Sequence, residues 1–497
     1  MSPSSWERRA ALFGCVALFW FSFGCATYSE KLADVRLDAD RGAYPAAIAK
    51  VNALLDVDSS EESPDRWKDE QPLAALERGV LLQALGEYRL SARDLSNAEA
   101  ELELLDLQPD AIGQLGNYIY SDSSETYSAS PTEKLALNAL NIANYLALDE
   151  LSGAAVEARR FTDMRDYLAS LGLDATGTFG AYLAGFTFER LGEEDRALRY
   201  YEEALEKNLL RSLEAPIERL AARNPYRGPR IEALLQQQGT TDGERTTIRE
   251  RLGPGQQTLK PSEILTVIAI GRVPHRVPER IPVGAAIGIA ADWITGNSDI
   301  LRRSVLKVIS YPELSSGGSL ARGASVQIDG NAIPAERVSH LGSDIRREYA
   351  LMKPRILGAA VTRMITRAAV AEAARVAGRE LGGDNRRQDW NRGGDNRRGD
   401  WNRGGNRRRN RNRNNETTGE LVGLLAALIA EGSLLALDEP DTRSWSFLPN
   451  EIWISREPVV PGRHTLSVEI EGVAERREVE IDVAAGGFSA VLITVPR

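Results

Sequence analysis

Cysteine is almost absent from this 497-residue chain: Cys15 and Cys25 are the only two, and neither lies in the body of the protein. No disulfide can therefore staple the fold, even in an oxidising compartment, and stability must come from packing. Histidine is nearly as scarce, with His275, His340 and His464 well separated. There is no HExxH and no cysteine cluster, so the usual zinc-ligand spacings are missing. Also missing are a GxGxxG after a strand, a GxxxxGK[ST] loop and a GxSxG elbow. The sequence offers no nucleophile paired with a base. It leads us to expect no catalytic residues, no metal and no cofactor.

What the N-terminus does contain is an address. Arg8-Arg9 is followed by an apolar run from Ala10 to Phe23 and then by Gly24-Cys25. A basic start, a hydrophobic stretch and a small residue before cysteine form the pattern of a bacterial lipoprotein leader, residues 1–24, cut before Cys25. Leu12-Phe13-Gly14-Cys15 matches the lipobox better. It leaves too few apolar residues ahead of the cut, however, because such a run spans about 7–15 residues. A plain secretory signal and an uncleaved anchor are the alternatives, but the run is short of the ~20 apolar residues of a spanning helix. Ala26-Thr27 follow Cys25 without the aspartate that retains lipoproteins at the inner membrane. The expectation is lipidation at Cys25 and an outer-membrane anchor facing the periplasm. Several acyl chains hold stably where one does not.

Residues 25–210 carry a recurring helix-turn-helix signature. Gly42-Ala43-Tyr44 precedes Ala47, Val51 and Leu54; Gly86-Glu87-Tyr88 precedes Ser91, Leu95 and Ala98; Gly153 precedes Ala158 and Thr162; Gly192 precedes Ala197, Tyr201 and Ala204. In the last unit Gly185 permits close helix approach, Gly192 permits the turn, and Tyr201 fills the space beside Ala197 and Ala204. This resembles the tetratricopeptide repeat, in an irregular array with inserted helices such as Thr132–Leu148. The resemblance implies an α-solenoid whose concave face meets envelope proteins.

Residues 211–381 read as a mixed α/β region. Glu263–Ile270 is an apolar, β-prone run and Val273–Pro282 is extended and proline-punctuated. Val305–Tyr311 and Ala324–Asp329 read as strands, the second closed by Asp329-Gly330-Asn331. A long alanine-rich helix is expected over Ser339–Gly378, with Pro354 kinking or dividing it. Residues 416–497 hold an apolar helix, Glu420–Leu437, and then a small antiparallel β domain. Its strands are expected at Ser446–Pro449, Glu451–Ser455, His464–Ile470, Arg476–Val483 and Phe488–Val495. Alternation in the third puts Leu466, Val468 and Ile470 on one face. The fold class is α+β, in several domains.

Leu137–Arg160, Glu263–Pro282 and Asp441-Thr442-Arg443-Ser444-Trp445-Ser446-Phe447-Leu448-Pro449, with the turn Pro461-Gly462, together resemble a family of uncharacterised bacterial lipoproteins. The resemblance implies a lipid-anchored protein and supplies no activity. Asp441, Arg443 and Trp445 are either a ligand-binding triplet or a packing motif. In the second case Arg443 pairs with a carboxylate and Trp445 packs helices onto the sheet.

Residues 382–415 stand apart. GGDNRRQDWNR recurs as GGDNRRGDWNR, followed by a degraded third copy. Between Asp384 and Asn415 the local charge is +7, so the rest of a chain of net charge −10 must sum to −17. Gly, Asn and Arg leave little to bury, and disorder is the expectation. Arg386, Arg387, Arg397 and Arg398, with Trp390 and Trp401, are the candidate contacts to anionic lipid or peptidoglycan, since arginine forks pair with phosphate and carboxylate. The leader directs the chain away from nucleic acid. The composite expectation is a non-enzymatic envelope scaffold. The alternatives are an activator of a peptidoglycan synthase and an envelope hydrolase with a dispersed site.

Overall fold

The computed structural model describes residues 26–102, 127, 129–173, 177–238, 260–294, 308–317, 319–383 and 440–497. The leader with Cys15 and Cys25, most of the stretch 116–131 and the insert beyond Gly383 lie outside the described residues. So do Glu420–Leu437 and the candidate contacts Arg386, Arg387, Trp390, Arg397, Arg398 and Trp401. Helices fill the N-terminal part and sheets the C-terminal part, an α+β arrangement.

The described residues form two compact units. The larger joins Tyr28–Val277, Leu314–Met352 and Thr442–Arg497. Its helices are α1 (Ala33–Asp40), α2 (Tyr44–Leu55), α3 (Gln71–Ala84), α4 (Tyr88–Glu101), α5 (Pro131–Ala147), α6 (Leu151–Ser170), α7 (Thr178–Leu191), α8 (Glu194–Ala204), α9 (Glu214–Ala221) and α10 (Pro229–Gln238). Helices adjacent in sequence pack on one another: α3 on α4, α5 on α6, α7 on α8. The second helix of a pair keeps a polar face, whereas α3 is buried on every side. All-round burial is what an inner helix between two layers requires.

Turns between helices need positive φ, and glycine supplies it at Gly42, Gly86 and Gly192. Gly153 corrects the sequence expectation. It sits inside α6, and the turn before that helix is made by Asp149 at φ 58°. A Cβ on Gly153 would stand 2.5 Å from the Tyr145 ring, so glycine serves close packing there. Gly185 matches expectation, since a Cβ would meet the Tyr201 ring at 2.5 Å. A buried arginine ties the first helices together. Arg78 Nε donates to Asp94 at 2.6 Å, Nη1 to Asn52 at 2.8 Å and Nη2 to the Glu62 carbonyl at 2.9 Å. Capping of α5 joins Pro131 at its first position to a reciprocal box, with Glu133 N–H on Ser130 Oγ and Ser130 N–H on Glu133.

Two four-stranded sheets lie beyond the helices. The first has the order β10-β1-β7-β6, from β1 (Glu263–Ile270), β6 (Glu336–Ser339), β7 (Glu451–Pro458) and β10 (Phe488–Val495). The second has the order β5-β4-β8-β9, from β4 (Gly323–Ile328), β5 (Asn331–Ile333), β8 (Gly462–Glu471) and β9 (Glu475–Val483). Every residue of β1 is buried. Leu265, Val267 and Ala269 join the helical core, while Ile264, Ile268 and Ile270 join a second core with Leu466, Val468 and Ile470 of β8. A strand covered on both faces needs no polar alternation, which is why EILTVIAI is apolar on both faces apart from Glu263 and Thr266.

The expected C-terminal antiparallel domain is built differently. β8 and β9 pair in the second sheet, but β7 and β10 flank β1 in the first, β10 running parallel to it. The buried central strand β1 needs partners on both sides, and the C-terminal segment supplies them. Ser446–Pro449 is not a strand: it is a turn-rich segment, because the Ser446 and Phe447 amides are claimed by a side chain described below. Pro354 does not divide the long helix, which runs as α12 from Leu341 to Gly383. Proline removes one N–H, and the bonds on either side carry the helix through.

Of the described residues, the smaller unit takes 26–27, 278–294, 308–313, 353–383 and 440–441. It holds the apolar helix α11 (Val283–Ala290) and most of the ribbon of β2 (Arg276–Pro282) and β3 (Val308–Leu314). Within it Lys353 Nζ meets Glu313 at 2.5 Å and stands 5.7 Å from the Tyr311 ring centre. Among the described residues no helix is long and apolar enough to cross a membrane.

Candidate functional site

The segment Thr442–Pro449 makes no sheet ladder, so its backbone donors must find other acceptors. Those of Trp445, Ser446 and Phe447 find buried carboxylates on helices far away in sequence, and Leu448 N–H bonds the Trp445 carbonyl. Glu77 of α3 accepts Ser446 N–H at 2.8 Å, Ser446 Oγ–H at 2.9 Å and Phe447 N–H at 2.7 Å. Glu133 of α5 accepts Trp445 N–H at 3.0 Å and the Tyr127 hydroxyl at 2.7 Å. Burial pushes Glu77 up to about 7, against the pull of the Ser446 and Phe447 donors and of Arg36. Trp445 has no exposed surface and belongs to the helical core, so it cannot serve as a surface platform. Arg443 and Asp441 are half-buried.

A second buried cluster binds helices to sheet. Arg456 of β7 spans Glu263 of β1 with two bonds of 2.8 Å, and reaches Glu189 of α7 and the Tyr201 hydroxyl of α8 at 2.9 Å each. Tyr201 donates to Glu189 at 2.6 Å. Arg219 also pairs with Glu189, and Arg190 with Glu263. Burial alone would raise the Glu189 carboxyl, but Arg456 and Arg219 outweigh it and hold it well below the usual range. The Arg190 guanidinium stands 5.4 Å from the Phe186 ring centre and 5.5 Å from that of Phe488. Arg190 Nη1 also donates to the Pro261 carbonyl at 3.1 Å, and the cluster clamps β1 and β7 to α7 and α8.

The three histidines are held separately. His464 Nδ1 meets Asp329 at 2.6 Å and its Nε2 meets the Val460 carbonyl at 2.8 Å, fixing the turn after β4. His275 is lowered to about 4 by burial and by the neighbouring Arg36 and Arg272, so it is neutral. His340 accepts Ser343 N–H at the start of α12. Among the described residues no group of three or more His, Cys, Asp or Glu could hold a metal ion.

Among the described residues a groove of about 390 Å³ lies beside β10. Its walls are the α3–α4 turn with Leu85 and Tyr88, the end of α5 at Ala147, the outer side of β9 and residues Ser489–Thr494 of β10. The volume lies in the range of small ligand sites, about 300–1,000 Å³. Its floor is a sheet edge. In the parallel pairing with β1, Glu263 N–H bonds the Gly487 carbonyl and Gly271 N–H bonds the Val495 carbonyl. Odd-numbered residues of β10 therefore point their backbone groups at β1, and Ala490, Leu492 and Thr494 point theirs into the groove. One of these groups is taken: Tyr88 donates its hydroxyl to the Leu492 carbonyl at 2.6 Å. The remaining outward groups of Ala490, Leu492 and Thr494 bond no described residue.

The groove carries no sequence motif. It arises where two sheets diverge at the β9–β10 connection, a tertiary event that no local pattern encodes. Glu77 and Glu263 did leave a local trace, each the lone carboxylate of its element. No family model, no curated protein and no solved structure matches the chain.

Proposed function

We propose that the protein is a lipid-anchored, periplasm-facing adaptor that holds protein partners in cell-envelope assembly or maintenance. The leader and Cys25 supply the anchor. The helix pairs α3–α4, α5–α6 and α7–α8 serve as a degenerate tetratricopeptide-like array, and the arginine-rich insert adds salt-sensitive contact with anionic envelope polymers. The observation that carries the adaptor reading is the groove beside β10, with backbone donors and acceptors directed into it. The buried charges, by contrast, are committed to one another, which suits a rigid scaffold rather than a catalyst.

The test is photocrosslinking in intact cells. A photoreactive amino acid at Leu85, on the groove rim and 43% exposed, is compared with Leu191, on α7 and 41% exposed. The adaptor reading expects discrete protein adducts from at least one position in the membrane fraction. Adducts to lipid or glycan alone, from both positions, would contradict it.

A further inference from the structure

We infer that the groove takes an extended peptide segment of a partner protein, which adds as a strand to the outer edge of β10. The inference rests on the adaptor reading and specifies its ligand. A sheet edge is a template for another strand, and proteins usually blunt theirs by shortness, charge or proline. Of the four edges of the two four-stranded sheets, three are blunted. β5 has three residues and β6 has four, while β9 (ERREVEIDV) carries a charge at six of its nine positions. β10 is the exception: FSAVLITV runs eight residues without charge or proline.

What protects β10 is its recess. The α3–α4 turn and β9 stand on either side of the edge, leaving about 390 Å³. One strand can enter such a space; a second folded sheet edge cannot approach, which argues for a flexible segment and against another copy of this chain. The backbone groups of half-buried Ala490 are the first point of attachment, and the N–H groups of Leu492 and Thr494, 3% and 2% exposed at the bottom of the recess, follow as the strand seats. In strand addition these main-chain bonds give affinity and alternate side chains give specificity.

The walls define those side chains. Ala84, Ala147 and Ala490 leave room for small apolar groups on the helix side. On the β9 side Glu480 and Asp482 are exposed, Glu480 with only the exposed Arg463 guanidinium at 4.0 Å, whereas Arg477 is held by Glu475 at 2.7 Å. The occupant is therefore an extended segment with small apolar residues at alternate positions and a lysine or arginine facing Glu480 and Asp482.

The test uses the full chain and fluorescent synthetic peptides of alternating alanine and valine flanked by lysine. Two further versions carry backbone N-methyl groups on alternate residues, one set on each edge of the peptide. Strand addition uses one edge, so one methylated version should lose binding by about tenfold or more while the other binds like the parent. Ala490→Pro removes only an outward N–H and no bond to β1, and should weaken binding by about tenfold. Glu480→Lys with Asp482→Lys should do the same, most strongly at low salt. If Ala490→Pro fails to fold, the methylated pair on the unaltered protein still decides. Equal binding of both methylated peptides, or binding unmoved by Ala490→Pro, would overturn strand addition. No peptide binding combined with protein adducts at Leu85 or Leu191 would overturn it and leave the adaptor reading standing. Failure of both would remove the adaptor reading itself.

Discussion

Arg456→Leu should destabilise the larger unit by about 3–5 kcal/mol, the effect seen when one partner of a buried ion pair is removed. The substitution leaves the Glu263 carboxylate with Arg190 alone, and Glu189 with Arg219 and the Tyr201 hydroxyl. Both carboxylates sit in a region where water cannot replace the guanidinium. Because Arg456 joins β7, β1, α7 and α8, its loss should lower the denaturation midpoint of helical and sheet signals together. Adding Glu263→Gln should recover part of the loss, since it removes a charge left short of partners. A midpoint within experimental error of wild type would show that the cluster is not the clamp described.

Glu77→Ala should produce the second large effect, again about 3–5 kcal/mol. Three donors on Ser446 and Phe447 lose their acceptor in a dry interior, at about 1–3 kcal/mol for each unsatisfied group. Relief of the buried charge offsets part of that sum. Glu77→Gln keeps the shape and one acceptor oxygen and should be milder. The pH dependence separates charge from shape. The folded carboxyl titrates at about 7, above its ordinary value of 4.5, so the folded state holds the proton more tightly than the unfolded one. Stability from this group is therefore fully present below the ordinary value and is lost as pH rises through about 7. Across pH 5 to 8 the loss amounts to roughly 2–3 kcal/mol, since each tenfold difference in proton affinity between the two states is worth about 1.4 kcal/mol. Glu348, also raised to about 7 by burial, contributes with the same sign. Wild type should thus lose more stability than Glu77→Gln over that interval in denaturant titrations. Parallel curves would place the Glu77 charge outside the folding equilibrium.

Local patterns were legible where local physics decides. Positive φ at a helix-to-helix turn selects glycine, and Gly42, Gly86 and Gly192 stand where the sequence placed them. Period-two alternation located β8 and the inward side of Leu466, Val468 and Ile470. Gly153 misled because glycine answers two needs, a turn or a close approach, and sequence does not distinguish them; the Tyr145 ring decides. Ser446–Pro449 misled for a related reason. Its apolar residues suit a strand, but Glu77 takes the amides first, from a helix hundreds of residues earlier. The parallel pairing of β10 with β1 was likewise out of reach, since register between distant strands follows from shared burial rather than from any neighbouring turn. The groove inherits that obscurity, being the by-product of the pairing.

The anchor at Cys25 is the premise on which the choice of envelope partners rests, and metabolic labelling with a fatty acid tests it most directly. The account predicts that wild type and Cys15→Ser incorporate label and sediment with membranes. Cys25→Ser should incorporate none and leave the membrane fraction. Undiminished labelling and membrane association of Cys25→Ser would contradict the account.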